Sequence, residues 1–503
     1  MARTPTGKEL VEISEIEKAD ISQTPSPPSS PIASQLLTEI NPEAERRLVK
    51  KLDWILLPLF TAIYCCNFID RTSIGNAKVA GLEKDLGMHG VDLNVALTVF
   101  YIFYVIADIP SNLILKRFGS AWLAFLVIGF GVISLASAFL HNYAGLLASR
   151  IFLGLTEGGT LSGLVYIISR YYRKEELVLR VGIFFGVGPS IAGAFGGLLA
   201  SGLLKLPDMG HVHTWRKIFL VEGLITTIFG LVLLFIVPED PSKSRLLSVQ
   251  ERKLAMARID AGQIVKTQGL KEKTTAKLVL RSFNLITFSC TLCFVLLNMS
   301  FQGLSLFLPS VIRSQGTYST VEVQLRTVPP YVASAVWVVI NAWVSARLKK
   351  RFLPILYNIV LVIIGYAISV STKHPQTRYA ACFLMIMGGS VGGPMLVTWG
   401  TDNAAPDTMR AVVTAAIPGI GAFGAVMAVW TYAPSDAPDY RKGNLANLSA
   451  CSAIFVIVSL TALYIAWENR KRARGDRDHR LEGLSEKETM RLGYRHPRFR
   501  YQI

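Results

Sequence analysis

Four charged side chains sit in stretches that are otherwise apolar. Their types and spacing suit proton exchange and anion binding. Asp70 and Arg71 follow an uncharged run of 15 residues, Trp54 to Phe68. A helix crossing a bilayer takes ~20 residues, so a crossing built on this run must continue through both charges. Neighbouring residues on a helix point ~100° apart, so the two need not satisfy each other. A carboxylate there can titrate, and a guanidinium beside it can hold an anion; alternatively both snorkel to the nearer interface. Arg150 and Glu157 are seven residues apart, which puts them on one helical face, separated by ~10 Å along the axis. Gly154 and Gly158 share that stripe and would let a helix or a small molecule come close. The same spacing also permits a plain structural ion pair. Each such charge costs at least ~2.5–3.5 kcal/mol at mid-membrane, so charges there pair, line a polar cavity, or both.

The elements that must position these groups follow from composition. Of 503 residues, 51% are hydrophobic and 17% charged, well below the ~25% charged residues of soluble domains. The apolar residues fall into twelve blocks, near 52–74, 92–114, 120–140, 144–168, 178–204, 216–238, 283–312, 325–346, 352–371, 377–399, 409–433 and 445–467. In lipid the backbone must satisfy itself, as a helix or a closed barrel. Barrel strands alternate in ~10-residue segments, and these blocks are longer and continuously apolar. The expected fold is an all-α membrane protein of twelve transmembrane helices in two six-helix bundles, 51–240 and 282–470, joined by a polar linker, 241–281. Two similar helical halves are a layout of secondary transporters.

The formal net charge is +17. In a soluble protein that would suggest nucleic acid; here the positive-inside rule accounts for it, and no nucleic-acid partner is expected. Arg46, Arg47, Lys50 and Lys51 precede the first span. Lys116 and Arg117 follow the second, and Arg170, Arg173, Lys174 and Arg180 lie between the fourth and fifth. Arg347, Lys349, Lys350 and Arg351 separate the eighth from the ninth, and Arg470, Lys471, Arg472 and Arg474 follow the last. With twelve alternating spans all lie on one side, so both termini are expected in the cytoplasm. Residues 1–50, with the Ser/Pro run SQTPSPPSSPIAS (22–34), read as a disordered tail without a signal peptide, and 471–503 as a basic, exposed one. Basic tails of this kind can also touch anionic lipid. The six cysteines all fall in spans, Cys290-x-x-Cys293 included, where packing is the expected role, and the histidines suggest no metal site. Asn298-Met-Ser300 and Asn447-Leu-Ser449 lie in or at the edge of spans and are not expected to be glycosylated. No nucleophile–base pair or phosphate-binding loop appears, so neither an enzyme nor ATP-driven transport is expected, and no cofactor beyond protons as the coupling ion.

Several segments carry a resemblance: NFIDRTSIGNAKVAGLEKDLGM (67–88), IPSNLILKRF (109–118), RIFLGLTEGG (150–159), YIISRYYRKEELVLR (166–180), AGAFGGLLASG (192–202), WRKIFLVEG (215–223) and PEDP (238–241). Weaker matches are LSVQERKLAMARI (247–259) and the stretch from Trp399 through Asn403 to Arg410. Over roughly residues 50–470 the chain resembles the major facilitator superfamily, and within it the anion:cation symporter family and its fungal allantoate-permease-like branch. The resemblance implies proton-coupled uptake of a small organic anion such as allantoate, nicotinate, pantothenate or biotin. It matches Asp70 to the titrating carboxylate of the first helix, Arg71 to the arginine that meets the substrate anion, Glu157 to the second proton-linked carboxylate and Arg150 to the arginine that modulates it.

Departures bear on the substrate. Glu157-Gly-Gly-Thr-Leu-Ser-Gly163 lacks the aromatic pair and proline frequent in the family, and Thr160, Leu161 and Ser162 are expected to face the cavity instead. Ser73 replaces a common Asn, and Pro406 a common Gly. The superfamily's basic loop is reduced to Lys116 and Arg117. Further substrate contacts are expected from Tyr64 and Asn67 on the first span, Asn298 and Gln302 (four apart on the seventh), Asn341 on the eighth and Trp399 on the tenth. Asp108 and Glu222 are expected to support conformational contacts, and Gly388, Gly389, Gly392 and Gly393 close packing or bending. Gly186-Val-Gly-Pro189-Ser-Ile-Ala-Gly193 resembles a motif of drug:proton antiporters, which keeps efflux of a secondary metabolite as a rival; tight helix packing is the alternative. A non-transporting nutrient sensor is a further rival, disfavoured by the short tails. The expected protein is a monomer in the plasma membrane.

Overall fold

The computed structural model describes residues 41–208, 212, 214–238, 240–242, 244, 246–267, 276–348, 350–405, 407–483 and 492–503. The Ser/Pro run, residues 268–275 of the linker, Lys349 and Pro406 lie outside the described residues. The first half comprises α1 (Pro42–Val79), α2 (Leu82–Asp85), α3 (Asp92–Phe118), α4 (Ala121–Ser137), α5 (Tyr143–Glu157), α6 (Thr160–Ser169), α7 (Lys174–Lys205) and α8 (Arg216–Ile236). The linker holds α9 (Val249–Thr267) and α10 (Ala276–Ser282). The second half comprises α11 (Leu285–Arg313), α12 (Thr320–Leu348), α13 (Phe352–Ser371), α14 (Pro375–Asp402), α15 (Asp407–Gly421), α16 (Phe423–Trp430) and α17 (Arg441–Ala473). Among the described residues eleven segments are long and apolar enough to cross a membrane. With the 17-residue α4 they make the twelve crossings expected.

Two crossings are jointed. The fourth divides into α5 and α6 at Gly158 and Gly159, and Gly159 takes φ +84°, where other residues are strained. The eleventh divides into α15 and α16 at Ala422.

The ends of the chain correct the expected boundaries. Asn41 caps α1 by accepting the Glu43 N–H at 2.9 Å, Pro42 starts the helix, and Glu43 and Glu45 occupy its positive first turn. Residues 42–50, expected in the tail, are therefore helical. The linker is also structured. Arg258 of α9, fully buried, meets Glu45 of α1 at 2.8 Å and Glu176 of α7 at 2.5 Å. Arg173 joins Glu45 at 3.1 Å, Lys51 joins Glu251 at 2.8 Å, and Arg180 holds Asp53 through two bonds of 2.6 and 2.8 Å. At the other terminus residues 492–503 fold back onto the second half, so they are not the exposed tail expected. Tyr501 and Asn469 exchange two bonds of 3.0 and 2.8 Å, and the Arg351 N–H meets the Ile503 carbonyl at 2.9 Å.

The two halves join where α1 ends and α3 and α12 begin. A Cβ on Gly75 of α1 would lie 2.1 Å from the Leu306 carbonyl oxygen of α11. Asn94 of α3 donates to the Val429 carbonyl of α16 at 2.7 Å, and Gln324 of α12 to the Asn76 carbonyl at 3.2 Å. Gly193 of α7 faces the Tyr331 ring of α12, with 2.6 Å left for a Cβ. The antiporter-like stretch on α7 is thus a helix-packing surface. By contrast α5 and α6 pack on elements of their own half, and α15 on the second half and α10 of the linker. Replacing Gly75 with Val is expected to force α1 away from α11 at about 1–3 kcal/mol, the usual penalty of overpacking. Thermal unfolding of the purified protein in detergent should register a drop of a few degrees, with secondary structure retained.

Candidate functional site

The site grows from α1. Tyr64, Phe68 and Arg71 recur at helical spacing and share a face. Phe68 faces Phe301 of α11, ring centroids 6.4 Å apart, and Tyr64 stands against Phe184 and Phe185 of α7 at 6.1 and 5.7 Å. Arg71 is 6% exposed and Glu157 fully buried. The Arg71 Nε meets Glu157 Oε2 at 2.8 Å, and Asn67 Nδ2 donates to the same oxygen at 3.1 Å. Glu157 is the last residue of α5, at the negative end of the helix dipole, so its carboxylate needs this cation. Tyr104 of α3 lies under the guanidinium, 4.4 Å from ring centroid to Cζ.

Glu157 takes Arg71, not Arg150, as its ion partner. Arg150 lies over the Phe219 ring at 5.7 Å, near enough to Asp70 and Glu157 to act on both electrostatically. Asp70 faces away from Arg71, as adjacent helical positions require, and accepts from Ser134 of α4 at 2.9 Å. A third acid, Glu222 of α8, accepts a short bond from Ser73. Three carboxyls and two guanidiniums thus occupy the interior of the first half. Several of their polar atoms have no hydrogen-bond partner: Asp70 Oδ2, Arg71 Nη2, Arg150 Nε, Glu157 Oε1 and Glu222 Oε1. Buried polar groups are normally satisfied, so such a concentration is unusual.

Beside this cluster, a cavity of about 50 Å³ lies between the halves, lined by Tyr64, Phe185, Phe294, Asn298, Gln302 and Ser390 among others. The structure therefore brings Tyr64, Asn298 and Gln302 together. Asn298 also bridges α11 to α15 by donating to the Gly421 carbonyl at 2.9 Å. Gly389, Gly392 and Gly393 of α14 pack on Phe301, Leu297 and Phe294, so their role here is close approach.

Asn341 and Trp399 are placed elsewhere. Asn341 accepts from Asn358 at 2.6 Å and from Tyr357, tying α12 to α13. Trp399 donates to the Gln502 carbonyl at 3.0 Å. Both are committed to packing within the second half, and neither lines the cavity, so we leave them out of the site. Ser162, expected to face the cavity, instead bonds Asp108 and accepts from Asn112 at 2.7 Å, holding α6 to α3. The sequence does not mark Tyr104, Ser134 and Glu222 as site members; the acid within the apolar stretch Trp215–Gly223 is the one available signal. Among the described residues no group of three His, Cys, Asp or Glu is placed to hold a metal ion.

The sequence profile of the Major Facilitator Superfamily matches residues 60–429. The chain belongs to this superfamily. It is similar to an uncharacterized transporter of Schizosaccharomyces pombe, 32% identical over 436 residues that cover 86% of this chain and 85% of the relative. It is also similar to the MFS-type transporter efuF of Hormonema carpetanum, 30% identical with 86% and 88% covered. The major facilitator fold is shared with the crystal structure of a bacterial homolog to the human lysosomal transporter Spinster, with a TM-score of 0.60, 15% identity, and 81% and 95% covered. The protein is thus a multi-pass membrane transporter, in a superfamily of transporters and not of enzymes.

The Arg71–Glu157 pair can be tested by a double-mutant cycle. Arg71→Ala leaves a buried carboxylate without its cation, a change that costs about 3–5 kcal/mol in comparable pairs. Arg71→Ala combined with Glu157→Ala removes both charges. Thermal unfolding in detergent should show the single variant several degrees less stable than the double one.

Proposed function

We propose that the protein is a proton-coupled symporter of a small organic anion, a carboxylate such as a vitamin or ureide, of the anion:cation symporter type. The observation that carries this reading is the buried Arg71, tied to Glu157 through Nε while Nη2 remains without a partner. A guanidinium binds one carboxylate well in bidentate geometry. A proton on Glu157 releases Arg71, and a substrate carboxylate takes the place of the protein's own. With Asp70, Glu157 and Glu222 all ionised against Arg71 and Arg150, the cluster carries one net negative charge; one proton neutralises it when empty, and a bound substrate carboxylate calls for a second. A neutral cluster lowers the cost of closing the halves, because buried charge is expensive in lipid. Arg150 acts on both Asp70 and Glu157 without bonding either, which suits a modulating role.

Tyr64, Asn67, Asn298 and Gln302 read the rest of the substrate. The 50 Å³ cavity is too small for an organic anion, one water taking ~30 Å³ in the liquid. Substrate entry therefore requires the halves to rock about the α1–α11 and α7–α12 contacts, alternating access at a site near the midplane. The supply of energy is sufficient. One pH unit is worth ~1.4 kcal/mol per proton, so about two units can concentrate the substrate about 100-fold. Net positive charge entering adds ~2.3 kcal/mol per 100 mV. By the positive-inside rule the basic residues support a cytoplasmic start of α1, α6–α7 junction and end of α17, and this reading takes the transporter as a plasma-membrane monomer.

The test is uptake of labelled carboxylates by cells expressing the protein, at an outside pH of about 5 and about 7.5, well apart on the carboxylate and histidine scale. Saturable uptake of one anion is expected, faster at the lower pH and abolished by Arg71→Ala. Glu157→Gln mimics the protonated acid, so exchange of labelled for unlabelled substrate should persist while its pH dependence is lost. Absence of uptake from a correctly localised protein, or accumulation below that of control cells, would replace this reading with sensing or efflux.

A further inference from the structure

The end of α17 and the chain folding back beside it enclose a cavity of about 220 Å³, distant in sequence and in packing from the acid–arginine cluster. Arg472, Arg477, Arg480 and Arg495 line it, with Glu468 as the carboxylate among them. Four cations against one anion leave a surplus of three positive charges. Glu468 is already engaged. It accepts from Arg472 Nε at 3.1 Å and from Arg477 at 3.1 and 2.6 Å.

The four arginines divide into two kinds. Arg472 is part of the framework: it donates to the Tyr494 and Phe499 carbonyls at 3.0 and 2.7 Å and lies over the Tyr501 ring at 4.3 Å. Arg480 is part-exposed and Arg495 exposed. Arg480 reaches no closer than 4.0 Å to Glu468 and donates to the Arg495 carbonyl at 3.2 Å. Burial, then the Arg477 and Arg472 charges, hold its guanidinium below the usual arginine range. Arg495 is exposed, with its guanidinium 5.9 Å from the Tyr494 ring. These are cations with donor capacity left over, gathered where a diffuse anion would be drawn in.

The setting identifies the kind of anion. The opposite wall is the start of α11, where Asn284, Leu285 and Ile286 line the cavity. Leu285 and Phe288 are 54% and 62% exposed there, and on α17 Leu463 and Trp467 are 66% and 49% exposed. Large apolar side chains exposed on crossing helices face hydrocarbon. Trp467, with Lys471 Nζ 3.9 Å from its ring, marks the water–lipid boundary, where tryptophan concentrates. The cavity therefore opens at the boundary, between two lipid-facing helix surfaces. Basic pockets so placed bind anionic headgroups.

We propose that this cavity is a binding site for the phosphate of an anionic phospholipid, with Arg480 and Arg495 as headgroup donors and the acyl chains lying along Leu285, Phe288 and Leu463. A soluble phosphate ester offers the same headgroup chemistry, and the test separates the two. Purified full-length protein in neutral detergent is titrated with short-chain phosphatidic acid, short-chain phosphatidylcholine or glycerol phosphate, and thermal unfolding is followed. Phosphatidic acid should raise the transition by a few degrees, with little change from the other two. The variant Arg480→Gln with Arg495→Gln should bind phosphatidic acid at least about tenfold more weakly, because it loses the charge-assisted bonds to the phosphate. Native mass spectrometry counts bound lipid directly, whatever the variant's own stability. An unchanged shift in the variant, no shift with phosphatidic acid, or an equal shift with glycerol phosphate would overturn the lipid site.

Discussion

A carboxylate at the negative end of a helix, fully removed from water, cannot stand alone. Glu157 ends α5 in this position, and the position of α1 follows from it. Arg71 must reach it, so α1 must pass within a hydrogen bond of the end of α5. Asn67, one turn earlier on α1, then falls against the same oxygen. Asp70 is rotated away toward α4, where Ser134 meets it, and Ser73 toward α8, where it meets Glu222. One turn of α1 thus contacts three other helices through polar bonds, each direction fixed by the ~100° step of the helix. These bonds do in lipid what an apolar core does in water, because lipid supplies no hydrophobic force between helices.

The charge is distributed unevenly between the halves. The first half carries the acids and the two arginines; the second contributes Phe294, Asn298, Phe301 and Gln302, an apolar and amide wall. On the proposed reading, protons are handled within the first half, while substrate size and shape are read across the gap. Changes in the wall can alter what is carried without touching the acids. The glycines of α7 let α7 and α12 pack closely, with a buried hydroxyl contact, Ser190 to Ser334 at 3.0 Å, between them.

Much of this was legible in the sequence. The twelve crossings follow from block length, and the intramembrane position of Asp70 and Arg71 follows from an apolar run too short to cross. The partner of Glu157 did not. The spacing of Arg150 and Glu157 shows a shared face, but which helix lies against that face is a matter of tertiary packing. The division of the fourth crossing was hidden because Gly158 and Gly159 sit inside an apolar run, where glycine also serves close packing. From the sequence Asn341 and Trp399 look like substrate contacts, because polar groups in spans often are. Their partners, Asn358 and the Gln502 carbonyl, come from a neighbouring helix and from a segment that composition alone marked as a loose tail. The beginning of α1 was masked by its charge: residues 42–50 look like a solvated tail until Arg258, more than two hundred residues later in sequence, is seen to hold Glu45.

The joint between α5 and α6 makes the fourth crossing two levers rather than one rod. The α5 lever ends in the acid that α1 grips. The α6 lever is bonded to α3 through Ser162, Asn112 and Asp108. A bend at the two glycines changes the angle between these levers while leaving each grip intact. Tilting of α6 with the far end of α3 can therefore proceed without dragging the carboxylate off its arginine. The joint lies directly after Glu157, so the crossing can change direction there while α1 keeps its hold on the α5 lever.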